Sequence, residues 1–290
     1  MTFIQTHRDR WGVEPICRVL SFAPATYYAA IARPPSARRV RDEALKPEIT
    51  RVFTENREVY GADKVWAQLR REGTRVARCT VERLMHALEI RGAVRGTAAV
   101  RTTIVGETGV RPADLVDRQF HAEAPNRLWV ADLTYVKTHA GWVYVAFIID
   151  VYSRFIVGWQ ASRSLRTDLA LDALEMAIWA RRGAHLEPEF NWSIRYTERL
   201  ADAGVAASVG SRGDSYDNAL AESFNGLYKT EVIRPHGPWR GLDDVEYATL
   251  EYVDWFNQRR LHGEIGMISP AEFEAFYYHQ GTPALLTVSQ

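Results

Sequence analysis

Residues 214–229 read Asp-Ser-Tyr-Asp-Asn-Ala-Leu-Ala-Glu-Ser-Phe-Asn-Gly-Leu-Tyr-Lys. At 3.6 residues per turn, a helix beginning near Asp217 splits this run into two faces. Asn218, Glu222, Asn225 and Lys229 share one; Leu220, Phe224 and Leu227 share the other and are expected to pack on a core. A carboxylate two turns from a lysine, with amides between them, suits a site that holds a hard cation and a phosphate. An amphipathic helix with a solvated polar stripe gives the same pattern, so the choice rests on the rest of the chain.

The chain has 290 residues, 47% of them apolar and 25% charged, enough for an ordinary core domain plus a smaller one. Cys17 and Cys79 make neither a disulfide framework nor a zinc set, which points to a reducing cytosol. No signal-peptide pattern or membrane-length apolar run is legible, so a soluble cytoplasmic protein without a membrane partner is expected. The formal net charge of zero hides an asymmetry. Residues 1–112 carry 20 Lys+Arg against 12 Asp+Glu, and the remainder has the opposite imbalance. That implies a basic arm facing a polyanion and a body furnished with carboxylates.

In chain order, residues 11–32 read as one short helical unit with Ile16, Val19 and Leu20 as its apolar side, and residues 40–56 as a second helix on Leu45, Ile49 and Val52. Tyr60–Gly73 is a helix closed by glycine. Thr80–Gly92 starts on a Thr cap and ends on another glycine. With Arg70, Arg71, Arg75, Arg78 and Arg83 around a tight turn, the pair reads as helix-turn-helix-like, a pattern any helical hairpin can share. Three strands follow, over 127–137, 141–150 and 154–160, joined by breaks short enough for an antiparallel meander. Trp129, Trp142 and Trp159 on these strands read as core. A helix from Thr167 to Arg181 buries Leu171, Leu174 and Ile178; another spans Ser193–Ala203, before a short strand at Val205–Val209. Asp243–Arg260 is a helix with Val245, Leu250, Val253 and Phe256 inward, and Ser269-Pro-Ala-Glu caps a last one. His139 reads as solvated and His262 as a packing or DNA-contact residue. Trp192 and Tyr216 could stack on bases, with core packing the default. The domains expected are 1–92 helical and DNA-binding, 93–124 linker, 125–279 core and 280–290 flexible tail.

Four words go further: Trp129-Val-Ala-Asp-Leu-Thr-Tyr135, Ile149-Asp-Val-Tyr-Ser-Arg154, the Gly213–Lys229 run, and Trp255-Phe-Asn-Gln-Arg-Arg-Leu-His262. Together they resemble bacterial insertion-sequence transposases, specifically the second-frame product with a retroviral-integrase-type (DDE) core. The resemblance implies an α/β fold: an RNase H-like integrase core, its mixed sheet flanked by helices, preceded by a small all-helical, helix-turn-helix-like domain. It implies strand cleavage and strand transfer on double-stranded DNA, element ends and target, by a homo-oligomer. Two Mg²⁺ (or Mn²⁺) ions about 3.5–4 Å apart would flank the phosphodiester, held by hard oxygens from three acidic residues. By resemblance Asp132 is the first, Glu222 the last, and Lys229 contacts DNA phosphate. Asp150 reads as a structural or turn residue.

The family's second acidic residue ends a buried strand, in a His-Ser-Asp word. Here residues 181–200 read Arg-Arg-Gly-Ala-His-Leu-Glu-Pro-Glu-Phe-Asn-Trp-Ser-Ile-Arg-Tyr-Thr-Glu-Arg-Leu. The strand and its Asp are expected to be absent, with Pro188 arguing against a central strand. Glu187, 35 residues before Glu222, is the candidate substitute, with Glu189 beside it. With Asp132 and Glu222 alone as metal ligands, the second ion is expected to bind poorly and catalysis to be impaired. Three readings follow: a working transposase using Glu187, a non-catalytic DNA-binding relative that occupies element ends or inhibits the active enzyme, and a carboxylate-pair hydrolase of small substrates, which leaves the basic N-terminal region without a role.

Overall fold

The structure, a computed structural model, describes residues 1–94, 122–182, 189–191, 206–208 and 219–280. Most of the expected linker, the tail from 281, the helix expected at Ser193–Ala203, and Glu187, Trp192, Tyr216 and Asn218 lie outside the described residues.

Three short helices open the chain, α1 (Thr2–Trp11), α2 (Val13–Val19) and α3 (Pro24–Ala32), where one helical unit was expected. Gly12, at φ 74°, parts α1 from α2, and the break inside the expected unit of residues 11–32 falls at Ser21, φ 51°, between α2 and α3. The three enclose Ile4, Ile16, Cys17 and Tyr27. Val19 and Leu20, expected inward, are exposed because they fall where α2 ends. Next come α4 (Ala37–Glu55), α5 (Ala62–Arg71) and α6 (Arg78–Ala87). Ser36 Oγ caps α4, which buries Leu45, Ile49 and Val52 as the spacing predicts. Helix α6 starts ahead of Thr80 with no side-chain cap and stops short of Gly92. Gly92 serves packing instead: a Cβ there would meet the backbone nitrogen of Gly61 at 2.5 Å.

The sheet begins as the predicted antiparallel meander, β1 (Leu128–Thr138), β2 (Gly141–Asp150) and β3 (Ile156–Ser162). It continues through β4 (Glu189–Asn191) and β5 (Ala206–Ser208), both parallel, in the order β3-β2-β1-β4-β5. Strand β4 corrects the expectation that this part of the sheet is lost. Pro188, the residue that argued against a strand here, lies outside the described residues.

Helix α7 (Thr167–Ala180) covers one face of the sheet. It lies closer than the predicted stripe allows. A Cβ at Gly158 of β3 would sit 2.2 Å from the Ala173 carbonyl oxygen and 2.9 Å from Ala177 Cβ. So Ala173, Leu174 and Ala177 turn inward with Leu169, and Leu171 and Ile178 are only half-buried. The other face carries α8 (Ala219–Tyr228), a π-type turn at Lys229–Ile233, and α9 (Leu242–Gln258). In α9, Leu250 is exposed and Thr249 is buried, its hydroxyl donating to the Val245 carbonyl and paired with Tyr228 Oη. Helix α10 (Pro270–Gln280) opens with the predicted reciprocal cap: Ser269 N donates to Glu272 and Glu272 N to Ser269 Oγ. Among the described residues no helix is long and apolar enough to cross a membrane.

The helical unit and the sheet share one apolar cluster. The Trp255 indole donates to Asn56 Oδ1 at 3.3 Å, Leu261 N donates to Tyr60 Oη at 2.7 Å, and Arg71 pairs with Glu272.

Candidate active site

Packing positions the site before any charged residue enters. Phe147 of β2 meets Phe224 and Tyr228 of α8 edge-on, with ring centroids 4.7 and 5.0 Å apart, and Phe224 lies edge-on to Phe256 at 5.2 Å. Aromatic pairs of this kind fix a helix more firmly than their area alone. They press α8 against β1 and turn Asn225 to the strand. The face assignment needs amending: Tyr228 joins Phe224 in the core, while Leu220 and Leu227 line a cleft of about 280 Å³ beside Arg154 and His262.

Asp132 lies mid-way along β1, opposite Phe147. Its Oδ2 accepts from Asn225 Nδ2 at 2.7 Å, and its Oδ1 from Leu133 N at 2.8 Å. Asn225 Oδ1 is buried with no hydrogen-bond partner. Buried polar atoms are rarely left so, and this one is a hard oxygen next to a carboxylate. Glu222 is on α8, one helical turn before Asn225. Lys229 follows Asn225 by four residues and opens the wider π-type turn, a distortion that often marks functional sites. Its Nζ lies over the Tyr135 ring at 4.6 Å. Burial lowers its pKa, Arg234 lowers it further, and Asp132 acts in the opposite sense.

The substitute acidic residues fare differently. Glu189 opens β4 level with Leu128, four residues from Asp132 along the strand direction, or about 13 Å. Glu187 precedes that position and is outside the described residues, among which no three His, Cys, Asp or Glu cluster as a metal site.

Asp150 is structural, as read. It is fully buried, and accepts from Asn126 N at 2.6 Å and from Ser153 N and Oγ at 2.9 Å each. Ser153 Oγ also lies 2.6 Å from Glu274, which binds Arg181 through two bonds. Burial drives the Asp150 pKa up against its backbone donors, and Glu274 adds to the rise. His262 packs edge-on to Phe256 at 4.6 Å, and burial holds its pKa well below the usual histidine range. His139 is exposed in its turn. Of the arginines around the helix-turn-helix-like turn, Arg71, Arg78 and Arg83 pair with carboxylates of this chain, and Arg70 lies over Trp66 at 5.1 Å.

Two residues on this surface were misjudged or passed over from sequence. Trp142, expected in the core, is 48% exposed, and Tyr135 beside it is 38% exposed. Their places near the hairpin ends of β1 and β2 carried the signal.

The HTH-like domain family matches residues 40–97, and two integrase core domain families match residues 122–215 and 203–270. A Mycobacterium tuberculosis (strain ATCC 25177 / H37Ra) protein named for insertion sequence element IS986/IS6110 is 54% identical over 272 residues, covering 90% of this chain and 98% of its own length. The transposase for insertion sequence element IS629 of Shigella sonnei is 51% identical over 288 residues, 96% of each chain. The chain belongs to the insertion-sequence transposase family. Among solved structures, a chain of the simian T-cell lymphotropic virus intasome is similar at 15% identity and TM-score 0.46, over 77% of this chain and 79% of that one. The transposase family membership matches the fold described above: α4–α6 fall in the HTH-like segment, and β1 through α9 in the integrase core.

Proposed function

We propose that this chain binds double-stranded DNA at element ends and target, as a cytoplasmic homo-oligomer, through a helical DNA-binding region (1–92) and an integrase core (125–279). Its cleavage and strand-transfer chemistry is greatly weakened, so it acts chiefly as a DNA-occupying relative of the active enzyme. One observation carries this reading. The carboxylate of Asp132 is set against the Glu222–Lys229 face of α8 through Asn225, while β4 enters the sheet with its acidic residue about 13 Å out of level.

The donor set suits one divalent cation, with Asp132 and Glu222 as its ligands and the unpaired Asn225 Oδ1 as a further hard oxygen. Bound there, Mg²⁺ or Mn²⁺ supplies polarisation of a phosphodiester oxygen and a bound water of lowered pKa. Asn225 orients the Asp132 carboxylate through its amide hydrogens, and Lys229 offers a cation to DNA phosphate on the same face.

The test uses the full chain and a duplex ending in the element's terminal repeat. DNA binding is expected to weaken steeply with salt and to survive Asp132→Asn and Glu222→Gln. Mg²⁺-dependent cleavage is expected to sit at the floor set by Asp132→Asn. Wild-type cleavage clearly above that floor, abolished by Glu187→Gln, would instead establish a working transposase.

A further inference from the structure

Beyond Asp132, β1 runs three residues to Tyr135, about 10 Å. There the Tyr135 and Trp142 rings meet edge-to-face with centroids 5.3 Å apart and interplanar angle 82°. Both lie open to solvent on an otherwise well-packed sheet. Tyr135 is covered on one side by Lys229, which lies within the field of Arg234, and the exposed Lys137 stands opposite Trp142 in the β1–β2 register. A tryptophan on a covered sheet normally turns inward. Alternation turns this amphipathic aromatic pair to the α7 side of the sheet, across β1 from Asp132, and Lys229 reaches between the two.

We propose that Tyr135 and Trp142 form a stacking platform for an unpaired DNA base within about three nucleotide steps of the phosphate held at Asp132, taking a 3.4 Å rise per step. The chemistry of the surface selects this ligand. Nucleobases offer π-faces of every sequence to an exposed indole, and the adjoining cations track the backbone. Lys229 links the two places: its stem spans from the Asn225 face, and its ammonium rests on the first ring of the pair. This inference rests on the DNA-binding reading above and adds a preference for single-stranded ends that the reading does not require.

The full chain is titrated by fluorescence anisotropy at fixed low salt against one labelled duplex, either blunt or with a three-nucleotide single-stranded end. Wild type is expected to favour the frayed end by about tenfold, the low-to-middle range for one stacked base. Trp142→Leu and Tyr135→Leu should each lose most of that preference while binding the blunt duplex as wild type does, and Trp142→Phe should keep it. A 2-aminopurine at the single-stranded position should be quenched by wild type and not by Trp142→Leu. Equal binding of both ends by wild type, or a preference that survives Trp142→Leu, overturns the platform and leaves the DNA-binding reading standing. Failure to bind either duplex overturns both.

Discussion

Glu231 and Arg260 are buried together in the π-type turn and just past α9, with 2.6 and 3.0 Å contacts between them and a third bond, 2.9 Å, from Tyr252 Oη. Both are almost fully enclosed. Glu231→Gln removes the counter-charge and leaves the guanidinium stranded in the core. Urea unfolding should show a loss of about 3–5 kcal/mol, the range for breaking one side of a buried pair. This pair was not legible in the sequence, because the partners are 29 residues apart and each looks like a surface charge. Asp132 was legible because its word is specific, and its Asn225 partner because the helical period put that amide on the correct face. Trp142 misled for the opposite reason: its apolar type suggested an inward residue, while its place beside the β1–β2 hairpin pointed outward.

At the scale of elements, the close seat of α7 on β3 depends on a missing side chain. Gly158→Val puts methyl carbons where the Ala173 carbonyl and Ala177 already stand. The helix must lift, and overpacking of this kind costs about 1–3 kcal/mol or more. Thermal unfolding of the variant should fall accordingly, with Gly158→Ala intermediate. The same contact explains why the inward stripe of α7 runs through alanines: a helix lying this near a strand accepts only small residues. Long apolar strands β1–β3 announced themselves by pattern. Strand β4 did not, because three residues reading Glu-Phe-Asn carry no alternation to recognise. Parallel backbone pairing with β1 holds that segment in the sheet, whatever its side chains.

For the molecule as a whole, the charge split of the sequence turns out to be partly an internal matter. Arginines that looked available for DNA are engaged with carboxylates of the same chain, one of them across to α10. The seam between the helical unit and the core also holds Lys64, whose ammonium lies 5.4 Å from the Tyr60 ring centroid and within the field of Arg260 and Glu231. Burial first, then Arg260, brings its pKa down to about 7, against the pull of Glu231. An unfolded lysine binds its proton up to about 10.4. Between these values the unfolded chain holds more protons than the folded one, so stability rises with pH from about 7 toward 9 and the penalty is complete below 7. Lys64→Met should flatten that rise. Melting midpoints of both proteins at pH 6 and pH 9 check it: the variant gains on wild type at the lower pH.

The buried hydroxyl between Asp150 and Glu274 has one hydrogen and two acidic neighbours. It can donate to only one, and burial raises the Asp150 pKa from its ordinary value while the Ser153 and Asn126 donors oppose the rise. Folding therefore tightens proton binding at Asp150 and loosens it at Lys64, opposite changes that a formal count of charges does not register.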